Sequence, residues 1–132
     1  LQFEYAYLSI QEKLITGYGL DKYAYIDKSL VPSYLKGKII GAHNGYLATL
    51  AQYGIIFGSI VLFLIFKISV QSFSFFKNEK DFERVYLFIV MYTLIASLYE
   101  ALMTGINEFH TILFWFSLSI LSYTKFVKEN AS

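Results

Sequence analysis

The chain alternates between mixed-polarity stretches and long apolar runs. In residues 2–15, Phe3, Tyr7, Ile10 and Leu14 recur at helical spacing, which predicts a short amphipathic helix. Gly17-Tyr18-Gly19 ends it, because glycine accepts the left-handed backbone of a helix exit. Residues 20–42 carry Asp21, Asp27, Pro32 and Gly37 among lysines and tyrosines and read as a polar loop. A first membrane span is predicted over 45–66. At ~1.5 Å per residue it is about 33 Å long, and Asn44 stands where a helix cap belongs. Gly54 and Gly58, four apart, give the small-xxx-small spacing that lets another helix approach closely, a spacing that chance also produces. Residues 67–84 read as a connector that opens with an interfacial helix bearing Phe73, Phe75 and Phe76. A second span is predicted over 85–104, a tight turn at Gly105–Glu108, and a third span over 109–126. The expected fold is therefore all-α, a polytopic membrane fragment of about three spans behind an external N-terminal region, residues 1–44. The membrane region is 45–132.

Charge sharpens this division. Only 16% of the 132 residues are charged, against about 25% in a typical soluble domain. No charge occurs from Ile39 to Phe66, and only Glu100 and Glu108 lie between Arg84 and Lys125. Apolar runs of that length are span candidates. A formal net charge of +1 gives no basic field for nucleic acid. The absence of cysteine removes disulfides, thiolate nucleophiles and Cys-ligated metals. The first residue is Leu1 and no signal peptide is visible, so the sequence is read as the C-terminal part of a larger membrane protein. The lysine and arginine count hardly orients it. Lys67, Lys77, Lys80, Arg84, Lys125 and Lys128 fall on one side; Lys13, Lys22, Lys28, Lys36 and Lys38 fall on the other.

Candidate chemistry concentrates at Gly41-Ala42-His43-Asn44-Gly45, at the mouth of the first span. An imidazole there can exchange a proton near neutral pH or, protonated, face a phosphate, and a helix N-terminus adds free N–H groups. Lys36 and Lys38 could add charge for a pyrophosphate. The alternative is an amphipathic interfacial histidine with solvated lysines. Glu100 is the second signal. A carboxylate within a span is costly unless it faces a polar interior. It stands five residues before Gly105, on the side of the membrane that holds His43. A hydrogen-bonded structural carboxyl is its alternative. Glu108 and His110 read as loop residues. Two histidines without an HExxH are too few for a structural zinc site, and Gly17-Tyr18-Gly19 is not a dinucleotide fingerprint. No serine sits in a nucleophile elbow.

The run AHNGYLATLAQYGIIFG, Ala42 to Gly58, resembles the HN-containing segment of the O-antigen ligase and Wzy polymerase superfamily. LITGYGLDKY, Leu14 to Tyr23, is similar to the glycine segment that precedes it in that superfamily, and the three following spans match the end of these proteins. The resemblance implies a bacterial inner-membrane glycosyltransferase whose catalytic loops lie on the outer face. Such an enzyme takes a glycan from an undecaprenyl-pyrophosphate-linked donor. It gives the glycan to lipid A core (ligase) or to another lipid-linked repeat unit (polymerase, favoured here). It needs no metal, nucleotide sugar or other cofactor. The family histidine maps onto His43, the adjacent asparagine onto Asn44 and the glycines onto Gly17 and Gly19. Lys36, Lys38 and Glu100 are added as substrate contacts. The orientation implied is 1–44 outside and 67–84 and the C-terminus cytoplasmic. Expected partners are donor, acceptor, the lipid bilayer and the N-terminal remainder of the parent, with no nucleic acid. The family's essential arginines are missing, since Arg84 is the sequence's single arginine and falls on the cytoplasmic side. Truncation before Leu1 would explain this, and the fragment would then be inactive alone. Two other classes compete: a transporter or flippase segment with Glu100 as its pathway carboxylate, and a membrane anchor without a site.

Overall fold

Asn44 starts the central helix as expected. Its side-chain oxygen accepts from the backbone N–H groups of Tyr46 and Leu47, both at 3.0 Å, covering two donors that a helix start leaves free. In this computed structural model, residues 2–19, 33–34, 43–78, 82–104 and 108–131 are described. They form four helices and no strand: α1 (Gln2–Glu12), α2 (Gly45–Phe76), α3 (Glu83–Ala96) and α4 (Phe109–Asn130). Among the described helices, α1 packs on α2 alone, while α2, α3 and α4 pack on one another. Their shared core contains Ile65, Phe76, Val90, Phe114, Leu118 and Leu121.

The all-helical class holds for the described residues. The three expected spans do not: α2 is the one described helix long and apolar enough to cross a membrane. α2 also differs from the expected 45–66 span in two ways. It continues to Phe76, where a connector was expected, because Ile65, Ser69, Ser72 and Phe76 keep one helical face buried and no breaker intervenes. It is also broken at Gly54, whose φ of 74° and ψ of 169° are not helical. Beyond the break the chain doubles back. A Cβ on Gly58 would lie 3.0 Å from the Thr49 carbonyl oxygen, whereas nine residues of straight helix would separate them by about 13 Å. α2 is thus a short arm, 45–53, folded against a long arm, 55–76. The close approach expected at Gly54 and Gly58 does occur, but no second helix makes it. The short arm meets Gly58, and the turn after α1 meets Gly54.

That turn fills the break. The N–H groups of Tyr18 and Gly19 donate to the carbonyls of Ala51 (2.9 Å) and Gln52 (2.8 Å), and Ile55 N–H donates to the Leu14 carbonyl (2.7 Å). Gly17 has φ of 64°, and a Cβ there would overlap the Gln52 carbonyl, while one on Gly54 would overlap the Ile15 carbonyl. Two glycines therefore allow backbone to dock on backbone. α1 itself is turned from its expected face. Tyr5, Ala6, Ser9 and Ile10 are buried, whereas Phe3, Tyr7 and Leu14 point outward. Small residues at 6 and 9 let α1 lie close to α2, which outweighs burial of the bulkier stripe.

The second expected span, 85–104, is helical only to Ala96. Residues 97–104 are turns. Carbonyls near this helix end find donors from the start of α2: Tyr46 Oη to Leu94 O (2.6 Å), Gly45 N to Ser97 O (2.7 Å) and Asn44 Nδ2 to Leu98 O (2.8 Å). Thr111 Oγ1 and Trp115 Nε1, in the first two turns of α4, donate to the carbonyls of Leu102 (2.8 Å) and Met103 (3.1 Å). The irregular segment is thereby fixed on both sides. α4 starts where the third span was expected and runs four residues further, to Asn130. Its far end meets the start of α3 through Lys128–Glu83 at 3.4 Å, and the Lys128 ammonium lies over the Phe76 ring.

Candidate functional site

The hydrogen bonds that fix 97–104 also bring the two strongest sequence candidates together. His43 Nδ1 lies 3.2 Å from Glu100 Oε2, although 57 positions separate the residues. Both side chains are about half exposed, at 48% and 59%. With Glu100 as a carboxylate, which only accepts, Nδ1 is the donor in this pair. The Nε2 lone pair of the neutral ring is then free to take a proton. Glu100, expected inside the helical span 85–104, lies instead in the irregular segment beyond Ala96, so the carboxylate is held on fixed but non-helical backbone.

Asn44 locks this geometry. Its oxygen caps α2 and its amide nitrogen binds Leu98 O, two residues before Glu100. Both polar ends of Asn44 are thus committed to the fold. Gly45 leaves little room for a side chain: a Cβ there would lie 3.0 Å from Ser97 Cβ, so Ser97 would have to shift. Gly17 and Gly19 sit at the Gly54 break and act on the site through α2's short arm, not by touching the dyad. Lys36 and Lys38 fall outside the described residues. Glu108 caps α4 without a side-chain hydrogen bond, and His110, in the first turn of α4, is exposed beside Phe109. Among the described residues no group of three His, Cys, Asp or Glu side chains could hold a metal ion.

An apolar cleft of about 350 Å³ opens next to the dyad, between the start of α2, its long arm and α3. Tyr46, Phe66, Ser69, Leu94, Ile95 and Leu98 line it, and the Tyr46 ring stacks on Phe66 with centroids 5.6 Å apart. Tyr46 and Leu98 belong to the same short segments that carry His43 and Glu100, so one wall of the cleft is continuous with the dyad. Sequence reasoning named neither the cleft nor Ser97, whose buried hydroxyl has no hydrogen-bond partner. No periodic signal marks either, because both arise from the meeting of two distant irregular segments. No protein-family model, curated protein or solved structure matches this chain.

Proposed function

We propose that this chain is part of a membrane glycosyltransferase of the O-antigen ligase and polymerase type, which transfers a glycan from an undecaprenyl-pyrophosphate carrier to an acceptor hydroxyl. The observation that carries the reading is the His43–Glu100 contact. The two residues stand out in the sequence for different reasons, and they meet in a base-and-orienter arrangement. In the reaction, His43 Nε2 takes the acceptor hydroxyl proton as the acceptor oxygen bonds to the anomeric carbon. The bond from that carbon to the phosphate oxygen breaks, and the pyrophosphate carrier leaves with the electron pair. Glu100 holds the ring and stabilises the imidazolium. The adjacent apolar cleft suits the hydrocarbon part of such a donor. Arg84 donates to the Lys77 carbonyl at 3.4 Å, remote from the dyad, so Lys36, Lys38 or groups from another segment of the parent meet the pyrophosphate.

The proposal includes a multi-pass inner-membrane location with 1–44 outside and the C-terminus cytoplasmic. The length and apolar character of α2 support the membrane location. A second reading, transport through a pathway that uses Glu100, draws on its place in irregular backbone, a feature of transporter helices.

Expression of the full-length parent in cells lacking it separates the two. With His43→Ala, the transferase reading expects polymer formation to fall about 10²–10⁴-fold while lipid-linked units accumulate. Normal polymer from His43→Ala, with loss only in Glu100→Gln, would move the assignment to transport.

A further inference from the structure

We propose that the groove between the long arm of α2 and α4 binds one anionic phospholipid, with its headgroup phosphate at Lys125 and one acyl chain running toward Trp115. This rests on the membrane reading above and concerns the end of the bundle opposite the His43–Glu100 dyad. Two cavities make the groove. One, about 260 Å³, has a polar mouth of Gln71, Ser72, Ser122, Lys125 and Glu129. The other, about 460 Å³, is apolar and runs along α4 past Tyr123, Leu118 and Trp115. They share Ile68, Ser122 and Phe126, so the groove is continuous from its polar mouth to its apolar floor.

Three features fit this occupant. From Lys125 to Trp115 the groove follows ten residues of α4, about 15 Å, which is half of the ~30 Å hydrocarbon core and therefore one leaflet deep. Ser72 lines the mouth and is 1% exposed, yet its hydroxyl has no hydrogen-bond partner. A phosphate oxygen in the mouth would satisfy it. The Lys125 side chain is only 21% exposed, and its ion pair with Glu129 is long, at 3.7 Å. A phosphate would give that ammonium a closer partner. The Glu129 carboxylate opposes an anion, but its side chain is 53% exposed, so solvent screens its charge.

Trp115 is the sequence's single tryptophan and lines the apolar half, so its fluorescence reports on the groove. The chain is reconstituted in phosphatidylcholine vesicles containing an equal fraction of acyl-brominated phosphatidylglycerol or acyl-brominated phosphatidylcholine, and quenching is compared. The expected result is an approximately fivefold preference for the anionic lipid, the usual effect of one interfacial lysine. Lys125→Gln should abolish the preference and Glu129→Gln should raise it. Lys77→Gln removes the same charge from the same end, outside the groove, and should leave most of it. Circular dichroism confirms that each variant keeps its helices. Equal quenching by both lipids would overturn the proposal, as would a preference that survives Lys125→Gln or falls equally in Lys77→Gln. Failure of the chain to enter vesicles, with no quenching by either lipid, would instead remove the membrane reading and this inference with it.

Discussion

Replacing Gly54 by alanine distinguishes the folded-back α2 from the straight span that the sequence predicts, because the sign of the effect reverses. In a straight helix, Gly→Ala in the interior stabilises by about 1 kcal/mol. At φ 74° and ψ 169°, Gly54 occupies a region essentially reserved for glycine, and a side chain there costs about 1–3 kcal/mol. The added Cβ would also overlap the Ile15 carbonyl, so the turn after α1 has to withdraw. Withdrawal breaks the bonds from Tyr18 N to Ala51 O, Gly19 N to Gln52 O and Ile55 N to Leu14 O, each worth about 1 kcal/mol net. Strain and lost bonds are alternative ways to relax as well as additive ones, so we expect a loss of about 3–5 kcal/mol. Gly17→Ala attacks the same docking from the other side and should cost a similar amount. The double variant should lose little more than either single, because one contact cannot be broken twice. Unfolding in mixed detergent micelles, followed by circular dichroism, measures all three. A Gly54→Ala chain as stable as the parent, or more so, would refute the break, and additive losses would refute the shared docking.

Two further outcomes follow from single contacts. Asn44→Ala removes the α2 cap together with the donor to Leu98 O and should destabilise by about 1–2 kcal/mol, whereas Asn44→Asp should keep the cap and lose only the second part, as read in the same unfolding assay. Tyr34 donates to Glu4 Oε1 at 2.6 Å, and this hydrogen bond, reinforced by the carboxylate charge, raises the phenol above the ordinary tyrosine value of about 10. Because the folded-state value is the raised one, the tether from 34 to α1 is fully present below the ordinary value and is lost as pH rises through the raised one. The tyrosinate absorbance difference between the parent and Tyr34→Phe should titrate late, and Glu4→Gln should bring it back toward the ordinary value. An unchanged titration in Glu4→Gln would show that the carboxylate has no part in the shift.

Much of the local chemistry is legible in the chain. Asn44 before a long apolar run reads as a cap and is one; α4 begins at Phe109, where its run begins. The failures share a cause. AQYGIIFG looks like helix interior because glycine is tolerated there, and nothing within that run says that residues 14–19 will occupy the gap. SLYEALMT looks like the last turns of a span because its one charge is Glu100. What ends α3 at Ala96 lies far away in sequence, in the donors of Asn44, Gly45, Tyr46, Thr111 and Trp115. Periodicity reports which face of an element is apolar; it carries no information about a tertiary donor that intercepts a carbonyl.

The same interceptions explain why the dyad exists. A Glu100 on a continuous helix would be one carboxylate on a rigid rod, and His43 would precede another. Ending α3 at Ala96 removes intrahelical donors from its last carbonyls, and other segments supply them: the start of α2 donates to 94–98, and α4 donates to the carbonyls of Leu102 and Met103. His43 and Glu100 flank this exchange directly. Their separation of 3.2 Å is therefore set by the hydrogen bonds between the two segments and not by the His43 and Glu100 side chains alone. Gly54 extends the chain of causes. Without the fold-back, the short arm could not bring residue 43 alongside 100 while the long arm packs on α3 and α4. The glycines that the resemblance marked for substrate thus find a physical role one step removed, in fixing the helix that carries the histidine.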